Sequence, residues 1–343
     1  MIQLEQKPGR TTIIDGKEYL FFSGYSYLGL GCHEEFLRLI NEGIQQYGVV
    51  YPSSRISNTP LNLYAQFEER LVLLTSNESA AVFSSGFLSA RTATEVVAEE
   101  MNVYYQYPAH PASSHHHKAI LIEESWDDFL QQRKQNNEWT FGLMADSINP
   151  TPGAFTDFNF LQSLPKEFKI VLILDDSHGI GWLGINGEGI ISRLSLPDHV
   201  ELLLNFSLSK AFHLNAGAIC GSDYWIQKAK QHVNFTTSTP PMPALAHAFV
   251  NGSAVFAEQR KKLNANINYL RKLIAAYTFV TNEETPVFVV HKPSVAEKLL
   301  ERQILISSFG YPKPENDKVN RVVVNALHTN EDFNRLLQIL LTT

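Results

Sequence analysis

Short apolar runs rich in branched residues alternate with longer amphipathic stretches along the first two thirds of the chain. The runs have the length of buried strands, and the stretches between them carry apolar residues at every third or fourth position, as helices do. This alternation predicts an α/β fold with a mainly parallel sheet. The predicted strands cover residues 80–84, 141–145, 170–174, 202–206 and 216–220, and the predicted helices cover residues 62–74, 88–100 and 126–134.

The pattern changes after Pro240-Pro241. A long helical stretch covers residues 244–277, with a break near Asn251-Gly252, and short strands then alternate with helices. We expect an N-terminal segment (1–45, with a helix over 35–46) that packs with a small domain, a large domain (46–250), and a small C-terminal α/β domain (251–343). The strands predicted in the small domain cover 287–290, 304–308 and 321–325, and its helices cover 294–302 and 330–341.

Composition and charge exclude several classes of partner. The 343 residues carry a net charge of −7 and contain no Lys/Arg-rich tract, so we expect no nucleic-acid partner. No apolar stretch is long enough to cross a bilayer and the N-terminus lacks a signal-peptide pattern, so we expect a cytoplasmic protein without membrane insertion. Cys32 and Cys220 lie in no metal-binding or redox spacing, and the run His115–His117 indicates a polar loop, so no metal is expected.

Two acids and a histidine follow the most apolar predicted strand, 170–174. These are Asp175, Asp176 and His178, and α/β sheets place ligands at the carboxyl ends of their strands. The residue types suit metal binding, acid–base catalysis, or a carboxylate held against a cationic ring. A strand-end turn capped by aspartate explains them equally well without a function.

The following residues, 179–184, match the G-x-G-x-x-G dinucleotide fingerprint. In dinucleotide-binding proteins this motif opens a helix, whereas here Gly187 and Gly189 continue a run of turn residues. We therefore predict no dinucleotide site.

Ser207 and Lys210 follow another apolar strand and match the S-x-x-K pair of penicillin-recognising enzymes. The companion strings S-D-N and K-T-G do not occur in the sequence. Lys210 is then either an amine nucleophile at a strand end or an ordinary surface lysine. The small and apolar residues that flank it, among them Ala211 and Phe212, favour the nucleophile.

Segments in order along almost the whole chain resemble motifs of the α-oxoamine synthases of the 8-amino-7-oxononanoate synthase type, a branch of the fold-type I pyridoxal-phosphate (PLP) enzymes. The resemblance implies a large domain with a mainly parallel seven-stranded sheet, plus the small α/β domain. The segments are 24–30 (S-N-N-Y-L-G-L), 47–48 with 54–55 (Y-G…S-R), 83–87 (S-G-[YF]), 175–181 (D-E-A-H-G-x-G), 207–212 (T-x-S-K-A-[FL]), 236–241 (S-T-S-x-P-P), and Arg321 with His328-Thr329 (R-[IV]…H-T).

The resemblance also assigns the catalytic residues. It implies that Lys210 holds the cofactor as a Schiff base, that Asp175 pairs with the pyridinium nitrogen, and that His178 hydrogen-bonds the phenolic oxygen. His110 lies close to where the family places the histidine that stacks on the ring, although its context only roughly matches H-A-S, and a loop histidine is the alternative. Arg321 would clamp the substrate carboxylate.

Phosphate binding and assembly follow from the same resemblance. The backbone around Ser85, Gly86 and Phe87 begins a helix, and helix N-termini bind phosphate. Ser207 would add a hydroxyl, and Thr237 resembles the threonine that reaches the phosphate from the partner subunit of a homodimer.

The implied reaction joins a small amino acid to an acyl-CoA with loss of carbon dioxide. Three departures from the family motifs bear on the substrate: Tyr25 and Ser26 replace asparagines, and His213 stands where glycine usually follows K-A-[FL]. An aminotransferase or aldolase of the same fold, or a PLP-retaining binding protein without turnover, are the alternatives.

Overall fold

The computed structural model describes residues 2–106, 109–114, 117–310 and 316–342. The strands are β1 (Thr11–Ile14), β2 (Lys17–Phe22), β3 (Ser79–Phe83), β4 (Val103–Tyr105), β5 (Ala119–Leu121), β6 (Thr140–Asp146), β7 (Ile148–Asn149), β8 (Ala154–Phe155), β9 (Lys169–Asp175), β10 (Val200–Ser207), β11 (Gly217–Gly221), β12 (Val280–Thr281), β13 (Val287–Val290), β14 (Ile304–Gly310) and β15 (Lys318–Val323). The helices are α1 (Glu34–Tyr47), α2 (Asn62–Thr75), α3 (Gly86–Ala98), α4 (Pro111–Ser114), α5 (Trp126–Gln135), α6 (Asp223–Gln231), α7 (Val233–Thr236), α8 (Pro243–Asn251), α9 (Ser253–Ile274), α10 (Val295–Glu301) and α11 (Asn330–Thr342).

The larger sheet has seven strands in the order β3-β11-β10-β9-β6-β4-β5. Its strands pair in parallel except β11, which runs antiparallel to β3 and β10. Leu172 and Leu174 of β9 join one hydrophobic cluster with α2 and α8, while Val171 and Ile173 join another with α3 and α6. Both faces of the sheet are therefore covered by helices, which confirms the predicted α/β fold and explains why its strands are continuous apolar runs.

The second sheet has six strands in the order β1-β2-β14-β15-β13-β12. Its N-terminal hairpin joins through β2, which pairs in parallel with β14. Helix α1 packs instead on α8, and the contact is close enough that a Cβ on Gly43 would lie 2.7 Å from Ala244 Cα. The division of the chain at residues 45 and 250 stays a prediction.

The predicted strands of the larger sheet agree with the observed ones to within two residues, since long apolar runs mark them clearly. The sequence missed β4 and β5, which are three residues long and are defined by pairing with neighbours rather than by pattern. The predicted break in the long helix lies at Gly252, between α8 and α9. His115 and His116 of the histidine run lie outside the described residues. Within the described ranges, no helix is long and apolar enough to cross a membrane.

Candidate active site

Several of the predicted functional residues lie at the carboxyl edge of the larger sheet. Asp175 ends β9, and the register places it between Asp146, which ends β6, and Asn205 of β10. Lys210 follows the end of β10 by three residues. The charges of Asp146 and Asp175 both act on Lys210, and those of Lys210 and Arg321 act on His178. We call Asp146, Asp175, His178, Lys210 and Arg321 the charged cluster.

Asp176, although adjacent in sequence to Asp175, is fully buried away from solvent. Its carboxylate accepts hydrogen bonds from Ser147 Oγ at 2.5 Å and from the backbone N–H of Ile190 at 2.9 Å. Burial raises the pKa of Asp176 to about 7, because an ionised carboxylate loses its hydration there. A Cβ on Gly189 would overlap its Oδ2. Gly179 and Gly189 thus let the chain wrap a buried carboxylate, and turns and bends, not a helix, cover the G-x-G-x-x-G match at residues 179–184.

Lys210 is partly buried just after the end of β10. Burial lowers the pKa of its amine, while the carboxylates of Asp175, Asp146 and Asp176 act in the opposite direction. The net direction is downward, so this amine loses its proton more readily than an exposed lysine and is the better nucleophile. Ser207 Oγ lies 2.7 Å from Ser209 Oγ.

His178 is held by its neighbours. Its Nδ1 lies 2.8 Å from the hydroxyl of Tyr27, and the edge of Tyr25 meets its ring with centroids 4.9 Å apart. Burial lowers the pKa of His178 well below its ordinary value, and the positive charges of Lys210 and Arg321 lower it further. The imidazole is therefore neutral at physiological pH.

Helix α3 begins one residue after Ser85, whose side chain caps it by accepting a hydrogen bond from the N–H of Leu88 at 3.2 Å. Gly86 packs so tightly on β10 that a Cβ there would overlap Ser207. The predicted phosphate residues Ser85, Gly86 and Ser207 are therefore neighbours, and they combine the start of a helix with hydroxyl groups. The side chain of Phe87 is 57% exposed.

Arg321 of β15 brings the second sheet into contact with this edge. Its side chain is buried, with Nη1 donating to the carbonyl of Pro150 at 2.5 Å and Nη2 donating to the Tyr25 hydroxyl at 2.8 Å. Phe309 packs on the guanidinium at 4.4 Å. The Nε–H is buried without a partner in the described part of the chain. Nε and Nη2 lie on one edge of the guanidinium, the edge through which arginine can bind a carboxylate in bidentate fashion.

His110 and Thr237 are the two remaining residues that the resemblance places at the cofactor. His110 is exposed on the approach to α4, its N–H donates to Asp146 at 3.0 Å, and its Nδ1 accepts from the N–H of Ala112. Its charge still acts on His178, so it is near the charged cluster. Thr237, the residue after α7, donates from Oγ1 to the carbonyl of Val233 at 2.7 Å. The roles of both residues stay predictions.

The sequence analysis missed Asp146 and Tyr27. Asp146 is buried and its pKa is raised well above the ordinary value by burial and by Asp175. It follows the predicted strand 141–145 as Asp175 follows 170–174, so the same strand-end argument could have found it. Tyr27 is the tyrosine of the segment 24–30 that resembles S-N-N-Y-L-G-L, but the motif does not identify its partner, because His178 lies 151 residues away.

The departures at Tyr25 and His213 have structural consequences. Tyr25 contacts both Arg321 and His178, so it belongs to the site. His213 has a φ of 56°, which explains why glycine is usual at this position. Its ring packs against Gly31, where a Cβ would lie 2.6 Å from His213 Nε2.

Comparison with known proteins agrees with the resemblance found in the sequence. The family model of aminotransferase class I and II matches residues 26–340. The 8-amino-7-oxononanoate synthase of Thermosipho melanesiensis is 26% identical, over 98% of this chain and 90% of that protein. The 8-amino-7-oxononanoate synthase 1 of Bacillus velezensis is 24% identical, over 99% of this chain and 92% of that protein.

Solved structures share the fold. A serine palmitoyltransferase from S. paucimobilis superposes with a TM-score of 0.85 at 15% identity, covering 100% of this chain and 92% of that one. The 8-amino-7-oxononanoate synthase from Francisella tularensis gives 0.71 at 22% identity, covering 94% and 96%. Among the described residues, no three His, Cys, Asp or Glu side chains converge as a metal site.

Proposed function

This chain belongs to the aminotransferase class I and II family, and we propose that it is an α-oxoamine synthase that condenses a small amino acid with an acyl-CoA. Such a reaction forms a carbon–carbon bond and releases carbon dioxide and the CoA thiol. Its curated relatives support this class of reaction. The observation that carries the proposal is the buried Arg321, with its unpaired Nε–H, beside Lys210, Asp175 and His178.

The residues present fit pyridoxal 5′-phosphate, the cofactor of this enzyme class. Its aldehyde requires an amine, which Lys210 supplies with a pKa lowered by burial. Its pyridine nitrogen requires an acid, and Asp175 ends the neighbouring strand. Its phosphate requires N–H groups and hydroxyls, which the start of α3 at Gly86 and the side chain of Ser207 provide. When bound, the cofactor supplies an electron sink for the bond that breaks at the amino-acid Cα.

The chain's own residues would prepare the amino acid for that step. Lys210, with its lowered pKa, would accept and return protons near the amino group. Arg321 would bind the carboxylate through Nε and Nη2, and because Pro150 and Tyr25 hold the guanidinium, the carboxylate would be oriented as well as bound. Asp175 would keep the pyridine nitrogen protonated.

We also propose that the active site is completed in a homodimer, with Thr237 approaching the phosphate bound by the partner subunit. The resemblance of residues 236–241 to S-T-S-x-P-P supports this. Sedimentation and assay at matched concentrations test it. A fully active monomer would rule it out.

A thiol-release assay tests the reaction. The purified holoenzyme is offered small amino acids paired with acyl-CoA thioesters of increasing chain length, and free thiol and carbon dioxide are measured together. We expect equal amounts of both from at least one pair. Transfer of the amino group to a keto acid without thiol release would identify an aminotransferase instead.

A further inference from the structure

The side chain of His178 is fixed from several directions. Tyr27 OH lies 2.8 Å from its Nδ1, and the indole N–H of Trp182 donates to its backbone carbonyl at 2.5 Å. The ring edge-to-face contact with Tyr25 has an interplanar angle of 79°. These contacts leave the ring little freedom to turn over and exchange its two nitrogens.

The direction of the Tyr27–His178 hydrogen bond follows from the surroundings. Tyr27 is 1% exposed, and burial raises the pKa of its phenol well above the ordinary value, so the phenol keeps its proton. The imidazole is neutral for the opposite reason, since burial disfavours its charged form. In a hydrogen bond between a neutral phenol and a neutral imidazole, either the phenol O–H donates to Nδ1 or a protonated Nδ1 donates to the phenol oxygen.

The Tyr27 hydroxyl has one hydrogen-bond partner in the described part of the chain, which is His178 Nδ1. If Nδ1–H donated to the phenol oxygen, the phenol proton would be buried without an acceptor, which is costly. The arrangement in which Tyr27 donates and Nδ1 accepts leaves no such orphan. The proton of the neutral ring is then on Nε2.

The second nitrogen, Nε2, has no protein partner among the described residues, and it is not one of their fully buried unpaired atoms. It therefore faces open space at the charged cluster. We propose that Tyr27 is a positioning residue that holds His178 in its Nε2–H tautomer, so that the ring presents a hydrogen-bond donor to the phenolic oxygen of the cofactor. The last step of this inference rests on the proposed function, whereas the tautomer itself does not.

The tautomer can be read directly in the cofactor-free wild-type protein. Histidine is labelled with ¹⁵N, and long-range ¹H–¹⁵N spectra distinguish protonated from unprotonated ring nitrogens; the loss of one of the 12 histidine signals in His178→Gln identifies His178. We expect an unprotonated Nδ1 and a protonated Nε2. A proton on Nδ1 would overturn the proposal.

Tyr27→Phe removes the donor without changing the ring that fills the space. We expect the His178 signals to move toward a mixture of tautomers and kcat of the holoenzyme to fall about fivefold, the factor that one ordinary hydrogen bond represents. Unchanged His178 signals in this variant would refute the role of Tyr27. Thermal unfolding of the variant shows whether its fold is intact.

Tyr25→Phe is the matched control, because Tyr25 touches the same imidazole but its hydroxyl binds Arg321. We expect it to leave the tautomer of His178 as in the wild type and to raise KM for the amino acid. A change of tautomer in Tyr25→Phe as large as in Tyr27→Phe would contradict a specific role of Tyr27. If the protein binds no PLP or releases no thiol, the proposed function fails while the spectra of the cofactor-free protein still decide the tautomer.

Discussion

Two groups of polar residues in this protein are built in opposite ways. In the first, Arg10 donates to both carboxylate oxygens of Asp332 at 2.7 and 2.8 Å, and Asp332 also accepts from the N–H of Thr329. Beside it, His328 accepts from the N–H of Asn325 and meets the carbonyl of Phe21, both at 3.1 Å. We call this group the Arg10 cluster.

In the charged cluster, by contrast, the described residues do not supply a partner for every buried polar group. Arg321 Nε is buried without a partner in the described chain, and burial lowers the pKa of the Lys210 amine. In the Arg10 cluster every bond is made by protein, so its members stabilise the fold and the second sheet. In the charged cluster we expect a ligand to supply the missing partner, as our proposed function requires.

The largest expected difference between the two clusters concerns Lys210. If this amine carries the cofactor, borohydride reduction of the yellow holoenzyme should attach the cofactor's mass to the peptide that contains Lys210, and Lys210→Ala should abolish turnover. Peptide mapping by mass spectrometry checks the first outcome. A label on any other lysine would assign the site elsewhere.

Asp175→Asn should leave the cofactor bound but reduce kcat by about 30- to 1,000-fold, since one electrostatic group contributes about 2–4 kcal/mol to transition-state stabilisation. Its neighbour gives the control. Asp176→Asn should mainly lower the melting temperature, because the donors Ser147 and Ile190 would lose a buried carboxylate acceptor. A near-wild-type kcat in Asp175→Asn would contradict the catalytic role that we assign to this carboxylate.

His328 should make stability depend on pH. Burial lowers its pKa from 6.5 to about 4, so between these values the unfolded chain binds a proton that the folded chain does not. The stabilisation is complete above pH 6.5 and is lost as pH falls, by about 2 kcal/mol at pH 5 and about 3 kcal/mol at pH 4. Urea unfolding at several pH values measures it. His328→Asn should lose less free energy of unfolding over the same pH range. An equal dependence of this free energy on pH in the wild type and the variant would contradict the prediction.

Arg10→Gln should have the smallest effect. The Arg10 side chain is 46% exposed, so solvent weakens its ion pair with Asp332, and we expect a loss of about 1 kcal/mol in the free energy of unfolding. Catalysis should not change, because Arg10 lies in the cluster whose partners are all protein. A clear fall in kcat of Arg10→Gln would show that the two clusters are coupled.

The sequence was most informative where a pattern is local. The strands β6, β9 and β10 carry long apolar runs, so their ends, and with them Asp175 and Lys210, could be located from spacing alone. The apolar period alone placed the start of α3 two residues late, at Leu88, whereas the motif around Ser85 and Gly86 marked the observed start. Three-residue strands such as β4 have no pattern of their own.

Long-range pairings could not be predicted in this way. Tyr25 is hydrogen-bonded to Arg321, 296 residues away in the sequence, and Tyr27 to His178, 151 residues away. The local sequence does not determine the hydrogen-bond partner of a buried tyrosine, because that partner depends on how the two sheets pack together. The N-terminal segment carries both tyrosines to the edge of the larger sheet through the pairing of β2 with β14.

The amino-acid sequence by itself determined the α/β class, the family and the residue types at the strand ends, because these depend on periodicity and on short motifs. Only the tertiary structure decided the hydrogen-bond partners and the burial of each polar group. It buries Asp176 in the core and leaves Asp175 at the edge of the sheet, and it leaves the Nε–H of Arg321 without a partner among the described residues. Burial and hydrogen-bond partners set the pKa of a side chain and its availability to a ligand, and both arise only when distant segments pack together.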